Sequence, residues 1–269
     1  MTLTSRFDAA SLAKCHNACL LWLSSITRTG KTAGGSITLP VLTTHGTRMQ
    51  NRADYDPNAS MQSHEKYRVT SLRTESGGQI DVTYADTDTG CRFGSAFPDP
   101  DHNSKRCFPK YYTNPSGQTG WSWWHKRIVS KVVESDLVGG SPPITTEYGY
   151  STANSSTSVL WAHSDGAAVW SAPLAKRSWA DWAGYTNVTV KKGSASGTRS
   201  QTDYLYLRGL HGDYISSGTR TASVTPFDSV VVGGAATDAE YRRGHLSTSA
   251  PTTGLAAAWC RSSSTTRGR

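Results

Sequence analysis

Apolar and polar residues alternate with a period of two in several segments of the chain, and glycine- and serine-rich turns separate them. Three segments show this pattern most clearly and read as hairpins: residues 67–84, 126–150 and 185–209. Each opens with a β-branched alternating run, turns through Gly and Ser, and returns through Thr or Asp to a tyrosine. The pattern predicts an all-β chain of consecutive antiparallel hairpins.

The alternation within the first hairpin also predicts the faces of its strands. Val69 and Ser71 fall on one face and Leu72 on the other, because successive side chains of a strand point to opposite sides. We therefore expect these strands to be covered on one side only.

Two shorter segments are less regular. Residues 213–227 form a fourth candidate hairpin, with the turn at Ser217 and Gly218. The apolar run 18–26 is too short for the ~20 residues of a membrane helix. A strand is favoured there over the hydrophobic region of a signal peptide, although Arg6 and Lys14 precede the run.

The segment 120–136, GWSWWHKRIVSKVVESD, admits three interpretations: the start of a buried strand, a sugar-stacking surface or a nucleic-acid surface. Trp121 and Trp123 would share one face of a strand and Trp124 the other, so that the segment starts a buried strand and anchors the following hairpin. Alternatively, the three indoles form an exposed surface that stacks on sugars. The first interpretation is favoured because the segment runs directly into the alternating RIVSKVV.

Composition supports the prediction of an all-β chain, and the distribution of charge argues against nucleic-acid binding. Hydrophobic residues make up 36% of the 269 residues, and Gly, Ser and Thr are abundant, as in chains of many short strands. The net charge is +8, of which three units come from Arg261, Arg267 and Arg269 at the end. No basic stripe with interleaved aromatic residues is present, so we do not expect nucleic acid as a partner.

The five cysteines predict disulfides in an exported protein. Cys15 and Cys19 lie close together, as do Cys91 and Cys107, which bracket the middle of a long irregular segment. A zinc site built from CHNAC is the alternative, but it lacks a CxxC pair at ligand spacing. Cys260 has no neighbour in the sequence, and we expect no metal site.

Motifs for catalysis are incomplete. The GKT at residues 30–32 lacks the first glycine of a phosphate-binding loop, since Ser25 stands there, and is interpreted as a hairpin turn. GSASG places Ala195 where a nucleophile elbow needs serine. Asp181 and Glu147 could belong to a glycosidase pair, but nothing in the sequence marks them as partners. We therefore expect no catalytic residues and no cofactor.

Several of these segments together resemble a known family. In order and spacing, CHNACLLWLSSITRTGKT, GTRMQNR, YRVTSLRTESGGQIDVTYAD, KRCFP, WHKRIVSKVVESDLVGGSPPITTEYGY and RSQTDYLYLRGLHGD are similar to actinobacterial Rhs, or YD-repeat, proteins ahead of their main repeat array. The similarity runs from about residue 3 to residue 246. Members of this family are very large secreted or surface proteins whose hairpins spiral into a hollow β-shell around a C-terminal toxic domain.

The resemblance implies that residues 1–246 are a non-catalytic, hairpin-rich shell segment. Its partners would be the remainder of the shell or the enclosed toxin domain, and its exposed sheet edges predict self-association when the chain is produced alone. No clear signal peptide is recognised. The alternative function is a secreted carbohydrate-binding β-module that uses Trp121, Trp123 and Trp124 to bind surface glycans.

Two features depart from the family pattern. The usual signature places Asp directly after the second tyrosine of Tyr-x-Tyr, whereas Ser151 follows Tyr150 and Leu207 follows Tyr206. Residues 247–269 abandon every earlier pattern and form a basic tail. One permitted GC-rich back-translation of this tail, read one base earlier, encodes a β-rich peptide, and we expect a frameshift near Leu246 with a disordered, non-family tail.

Overall fold

The structure is a computed structural model, which describes residues 2–7, 20–32, 34–59, 63–113, 117–163, 176–194, 197–227 and 234–251. These residues form twenty strands and no α-helix, as the hairpin pattern predicts. Two short 3₁₀ helices span Pro100–His102 and Glu240–Arg242. No helix in the described residues is long and apolar enough to cross a bilayer.

The strands are listed here in chain order. They are β1 Thr2–Phe7, β2 Leu21–Thr27, β3 Thr29–Thr32, β4 Gly35–Thr38, β5 Leu42–Met49, β6 Lys66–Arg73, β7 Gly78–Tyr84, β8 Cys107–Thr113, β9 Thr119–His125, β10 Val129–Asp136, β11 Ile144–Ser151, β12 Trp161–Ala162, β13 Asp181–Trp182, β14 Asn187–Ser194, β15 Ser200–Tyr206, β16 Tyr214–Ile215, β17 Gly218–Thr219, β18 Ser223–Val224, β19 Ala236–Thr237 and β20 Leu246–Pro251.

Ten of these strands form one antiparallel sheet in the order β1-β2-β5-β6-β7-β10-β11-β14-β15-β20. Neighbours in the sheet follow one another along the chain, apart from short strand pairs inserted between them. The three predicted hairpins are confirmed as β6–β7, β10–β11 and β14–β15. The fold is therefore a meander of hairpins.

Because consecutive strands run in opposite directions, the connections fall alternately at the two ends of the sheet. One end carries the hairpin turns and the β3–β4 extension. The other end carries the long connections, and we call it the loop-rich end: residues 50–65, 85–128, 152–186 and 207–245. The strand pairs β8–β9, β12–β13, β16–β17 and β18–β19 all lie within these long connections.

The turn between β10 and β11 shows how the sequence specifies a hairpin. Oδ1 of Asp136 accepts hydrogen bonds from the backbone N–H groups of Gly139 and Val138, at 2.8 and 2.9 Å. These bonds lower the pKa of Asp136 to about 2. Gly140 follows with a φ of +71°, which glycine adopts without the steric cost that a Cβ imposes.

Two turn predictions were wrong in detail. Residues 30–32 lie inside β3, which pairs with β4, so the hairpin turn comes after them. In the fourth hairpin Gly218 begins β17, and the turn comprises Ser216 and Ser217. In both segments a glycine that was assigned to a turn lies in a short strand instead, Gly30 in β3 and Gly218 in β17.

The tryptophan segment does not run directly into the following hairpin. β9 ends at His125 and pairs with β8, whereas β10 starts at Val129 in the large sheet. Between them the backbone N–H of Lys126 donates to the carbonyl of Arg106, and Ile128 accepts from Ala85. The intervening residues therefore carry the chain from one sheet to the other.

The predicted boundary at residue 246 lies at the start of β20, so residues 247–251 of the predicted tail belong to a strand that pairs with β15. Residues 252–269, which include most of the predicted tail, lie outside the described residues. The frameshift remains a prediction.

Most of the buried apolar residues lie at the loop-rich end. Leu160, Trp161 and Trp179 form one cluster there, and Phe108 and Tyr185 pack against it. Further clusters adjoin the β8–β9 pair and the segments around β18. The compact part of the molecule is therefore the set of long connections.

Arg208 lies within this compact part, and its side chain is fully buried. Its Nη1 atom donates to the carbonyls of Val159 and Gly184, at 2.5 and 3.2 Å. Its Nη2 atom donates to Ser155 Oγ and the Thr157 carbonyl, at 2.6 and 2.7 Å. One guanidinium group thus holds two chain segments together.

The carboxylate of Asp238 fixes the backbone at Arg208. Oδ1 of Asp238 accepts the N–H groups of Arg208 and Gly209, at 2.6 and 2.8 Å. Burial lowers the pKa of Arg208 to about 10, and the negative charge of Asp238 partly offsets this. The buried positive charge is therefore compensated by four side-chain hydrogen bonds and a nearby carboxylate.

Replacing this guanidinium tests its role. Arg208→Met leaves buried carbonyl oxygens without their donors, and we expect it to lower the free energy of unfolding by about 3 kcal/mol or more. Urea unfolding followed by tryptophan fluorescence measures the change. The matched control is Arg73→Lys at an exposed position of β6, which should change stability by less than about 0.5 kcal/mol. Equal stability of Arg208→Met and the unmodified protein would contradict this role.

Candidate functional site

The three tryptophans of β9 have different environments. Alternation along the strand places Trp121 and Trp123 on one side and Trp124 on the other, as predicted. Trp123 stacks on Phe97, with ring centroids 4.7 Å apart, and packs against the cluster that contains Cys91 and Cys107. Its indole face is therefore already occupied.

Trp124 is buried, with 9% of its surface exposed. The guanidinium carbon of Arg52 lies 5.9 Å from its ring centroid, and the ring of His64 lies 5.1 Å away. Trp124 therefore anchors the β8–β9 pair to the connection between β5 and β6, as the buried-strand interpretation predicts for this residue.

Trp121 is the exposed member of the three, with 45% of its surface exposed. Tyr111 on β8 meets it edge to face, with ring centroids 5.5 Å apart. The ammonium group of Lys176 lies 5.7 Å from the centroid of Tyr111. Of the three predicted sugar-stacking residues, the fold thus leaves one indole open to a ligand.

The cysteine prediction is confirmed for one pair. Cys91 and Cys107 form a disulfide that closes a segment of the loop-rich end, and both residues are buried. Cys15 and Cys19 lie outside the described residues, so their pairing remains a prediction.

The two acids considered for a glycosidase pair each bind an arginine. Asp181 on β13 forms an ion pair with Arg243, and Glu147 on β11 lies 3.0 Å from Arg199. The two acids are thus held by different partners and on different sheets. The described residues contain no group of three or more His, Cys, Asp or Glu side chains that could hold a metal ion.

The large sheet has two chemically different faces, which its register defines because directly opposed residues point to the same side. We call one the apolar face. It carries Leu72, Ile80, Val82, Val132, Ile144, Tyr148, Tyr150, Val188, Val190 and Tyr204. Glu134 and Lys192 lie on the same face near the hairpin turns, with 3.8 Å between Nζ and Oε2.

We call the opposite side the polar face. It carries Ser71, Asp81, Thr83, Lys131, Glu147, Thr189, Lys191, Gln201 and Asp203, together with the apolar residues Val133 and Leu205. Some of these groups bond to one another along a strand. Gln79 donates to Asp81 at 2.9 Å, and Gln201 donates to Asp203 at 3.0 Å. Such internal pairs suit a surface in contact with water.

Neither face is covered over most of its area. In the eight strands from β2 to β15 that belong to this sheet, Thr145, Thr146 and Leu205 are the buried residues. The apolar residues named above for the apolar face are half-buried, and Glu134 and Lys192 on the same face are exposed. A sheet packed against a second layer buries alternate residues along each strand. The prediction that one side is covered was therefore wrong for the described residues.

The uncovered apolar face is the feature that the sequence reasoning missed. The period-two pattern of residues such as Ile80 and Val82 correctly indicated an apolar side. It could not indicate what that side contacts, because a buried and an uncovered face produce the same alternation.

Comparison of the chain with protein-family models, with curated proteins and with solved structures gave no match. The resemblance to Rhs proteins therefore rests on the sequence blocks given above and remains a prediction.

The last residue of the tryptophan strand has a perturbed ionisation. His125 is buried in β9, and burial together with the charge of Arg127 lowers its pKa to about 4. The unfolded chain therefore takes up a proton near pH 6.5, before the folded chain does. The contribution of His125 to stability is complete above about pH 6.5 and is lost as the pH falls towards about 4.

We expect the free energy of unfolding to fall by up to about 3 kcal/mol over this interval because of His125. Urea unfolding between pH 7 and pH 4 measures how the free energy of unfolding depends on pH. The slope of that dependence gives the number of protons taken up on unfolding, and His125→Gln should lower this number by up to one. An unchanged slope in His125→Gln would assign the pH dependence to other groups.

Proposed function

We propose that this chain is a non-catalytic structural segment of a secreted Rhs/YD-type β-shell, which packages and delivers a toxin domain carried elsewhere. The observation that carries the proposal is the uncovered apolar face of a ten-stranded sheet. The resemblance of the sequence blocks to Rhs proteins is the reason to propose a β-shell as the assembly to which this sheet belongs.

The contrast between the two faces supports a role as a wall. Half-buried Val, Ile, Leu and Tyr side chains spread over several adjacent strands make a contiguous apolar surface, and such surfaces mark sites of protein interaction when they are large. Covering this face with protein removes it from water at a gain of about 25 cal/mol per Å². The polar face, with its internal pairs, can meanwhile stay in contact with water.

The edges of the sheet support extension. In the described part of the chain, β1 and β20 each pair with one neighbour, β2 and β15 respectively. Such edge strands present unpaired backbone groups that a further strand can bond. A shell built from consecutive hairpins would continue the sheet at these edges.

The apolar face can be tested with two lysines. We expect the unmodified protein, produced alone, to bind the apolar dye ANS and to self-associate. Val132→Lys with Val190→Lys places two charges on the apolar face and should abolish most dye binding and yield a monomer. Fluorescence titration and size-exclusion chromatography with light scattering measure these effects, and circular dichroism checks the strand content.

The matched control places the same charges on the polar face. Ser71→Lys with Thr189→Lys sets each lysine opposite an aspartate, Asp81 or Asp203. It should leave dye binding and self-association unchanged. An unmodified protein that is monomeric and does not bind the dye would refute the role as a wall.

Glycan binding through Trp121 is the second candidate function. The exposed indole and the adjoining Tyr111 ring favour it, because aromatic rings exposed in this way can stack on sugar faces. The other two tryptophans of the strand argue against a glycan-binding surface of three indoles, since Phe97 stacks on Trp123 and Trp124 is buried.

A glycan array followed by fluorescence titration tests this candidate. If it is correct, a glycan quenches tryptophan fluorescence with saturation, and Trp121→Ala weakens the affinity about tenfold or more. Phe93→Ala, which removes another exposed aromatic ring, is the control and should not change it. Absence of saturable quenching would exclude glycan binding by Trp121.

A further inference from the structure

The loop-rich end contains a polar cleft of about 180 Å³, which we call the His163 cleft. His163 follows β12 and lies on one side. The segment from Gly209 to Tyr214 forms another side, and the 3₁₀ helix Glu240–Arg242 closes it with Glu240 and the adjoining Arg243. The cleft is thus built from three connections that meet at the compact part of the molecule.

A glycine permits these connections to approach closely. Gly209 has a φ of +69°, and a Cβ there would lie 2.9 Å from Cβ of Arg243 and 3.0 Å from the carbonyl oxygen of Glu240. Any larger residue would push the 3₁₀ helix away. The shape of the cleft therefore depends on this position.

His163 and Asp213 form a fixed pair inside the cleft. Nδ1 of His163 lies 3.1 Å from Oδ1 of Asp213, and the backbone N–H of His163 donates to the same oxygen at 3.3 Å. The imidazole also packs on Trp179, with ring centroids 3.8 Å apart. Both side chains are largely buried, so the pair is held in one orientation.

Two groups of the cleft are available for hydrogen bonds. Oδ2 of Asp213 has almost no exposed surface and no hydrogen-bond partner among the described residues. It can therefore accept a bond from a ligand once the side chains around it shift slightly. His211 accepts the backbone N–H of Ala222 at Nδ1, at 3.3 Å. The neutral ring of His211 therefore carries its hydrogen on Nε2, where it can donate.

The formal charges of the lining cancel. Arg177 and Arg243 contribute two positive charges, and Asp213 and Glu240 contribute two negative charges. Arg243 is also paired with Asp181, which does not line the cleft. The net charge of the four lining groups does not select an anion or a cation. A ligand that both donates and accepts hydrogen bonds suits this lining better than an ion of either sign.

An aromatic ring forms part of the wall. Tyr214 lines the cleft with 38% of its surface exposed, and its ring centroid lies 5.7 Å from that of His163. Such a ring offers an apolar face beside the polar groups.

We propose that the His163 cleft binds a neutral polyhydroxylated ligand, a single sugar unit. One hydroxyl group would donate to Oδ2 of Asp213, and another would accept from Nε2 of His211. Hydroxyl groups can do both, and a bond to a carboxylate is stronger than one between neutral groups. The C–H face of the sugar ring would pack on Tyr214. This site is separate from Trp121 and independent of the proposed wall function.

The experiment titrates the full chain with a panel of methyl glycosides up to about 50 mM, a range suited to millimolar dissociation constants. The panel comprises the methyl glycosides of glucose, galactose, mannose and N-acetylglucosamine. The readout is the imidazole NMR resonances of His163 and His211. We expect at least one glycoside to shift both with saturation, and inorganic phosphate to shift neither.

Three variants locate the site. Tyr214→Ala changes a partly exposed ring and should weaken binding about tenfold, and Asp213→Asn should do the same. The matched control is Tyr241→Ala, since Tyr241 is 77% exposed and does not line the cleft; it should bind as the unmodified protein does. If Asp213→Asn does not fold, Tyr214→Ala against Tyr241→Ala decides alone.

Four results would overturn the proposal. The first is the absence of saturable shifts with every glycoside, and the second is a response to phosphate without a response to sugars. The third is equal weakening in Tyr214→Ala and Tyr241→Ala. The fourth is a loss of binding in Trp121→Ala with none in Tyr214→Ala, which would assign the sugar to the exposed indole.

Discussion

The guanidinium of Arg208 holds together the segments that contain most of the buried residues of this chain. It bonds to Ser155, Thr157, Val159 and Gly184, which belong to the long connection between β11 and β14. The large sheet has little interior of its own, so its strands depend on backbone hydrogen bonds and on their attachment to this compact region. A buried charge is costly unless it is hydrogen-bonded, and here both Nη atoms find partners whereas the buried Nε finds none in the described residues. The need to supply these acceptors restricts how the connections can fold.

The large sheet is regular along its strands, but no second layer covers its apolar face in the described residues. Period-two alternation gives it an apolar and a polar face, and consecutive hairpins align those faces across adjacent strands. In most antiparallel folds a second layer covers the apolar side. Here residues such as Val132 and Val190 stay half-buried, which is a reason to expect a protein partner on that side. The proposed shell provides such a partner.

The two ends of the molecule support different kinds of function. The sheet offers an extended surface, as a wall requires. The loop-rich end instead brings titratable side chains from distant parts of the sequence into one cleft, as His163 and Asp213 illustrate. Irregular connections can position such groups because their backbone is free of the repeating geometry of a sheet.

The sequence by itself determined the fold class, the three main hairpins and the Cys91–Cys107 disulfide, because strand alternation, turn residues and a short cysteine spacing are local properties. It also placed Trp121 and Trp123 on the same side of a strand. Only the tertiary structure decided that Phe97 stacks on Trp123, that β9 belongs to a separate sheet, and that His163 meets Asp213. These contacts join residues far apart in the chain, and their formation depends on how the long connections pack, which no local pattern encodes.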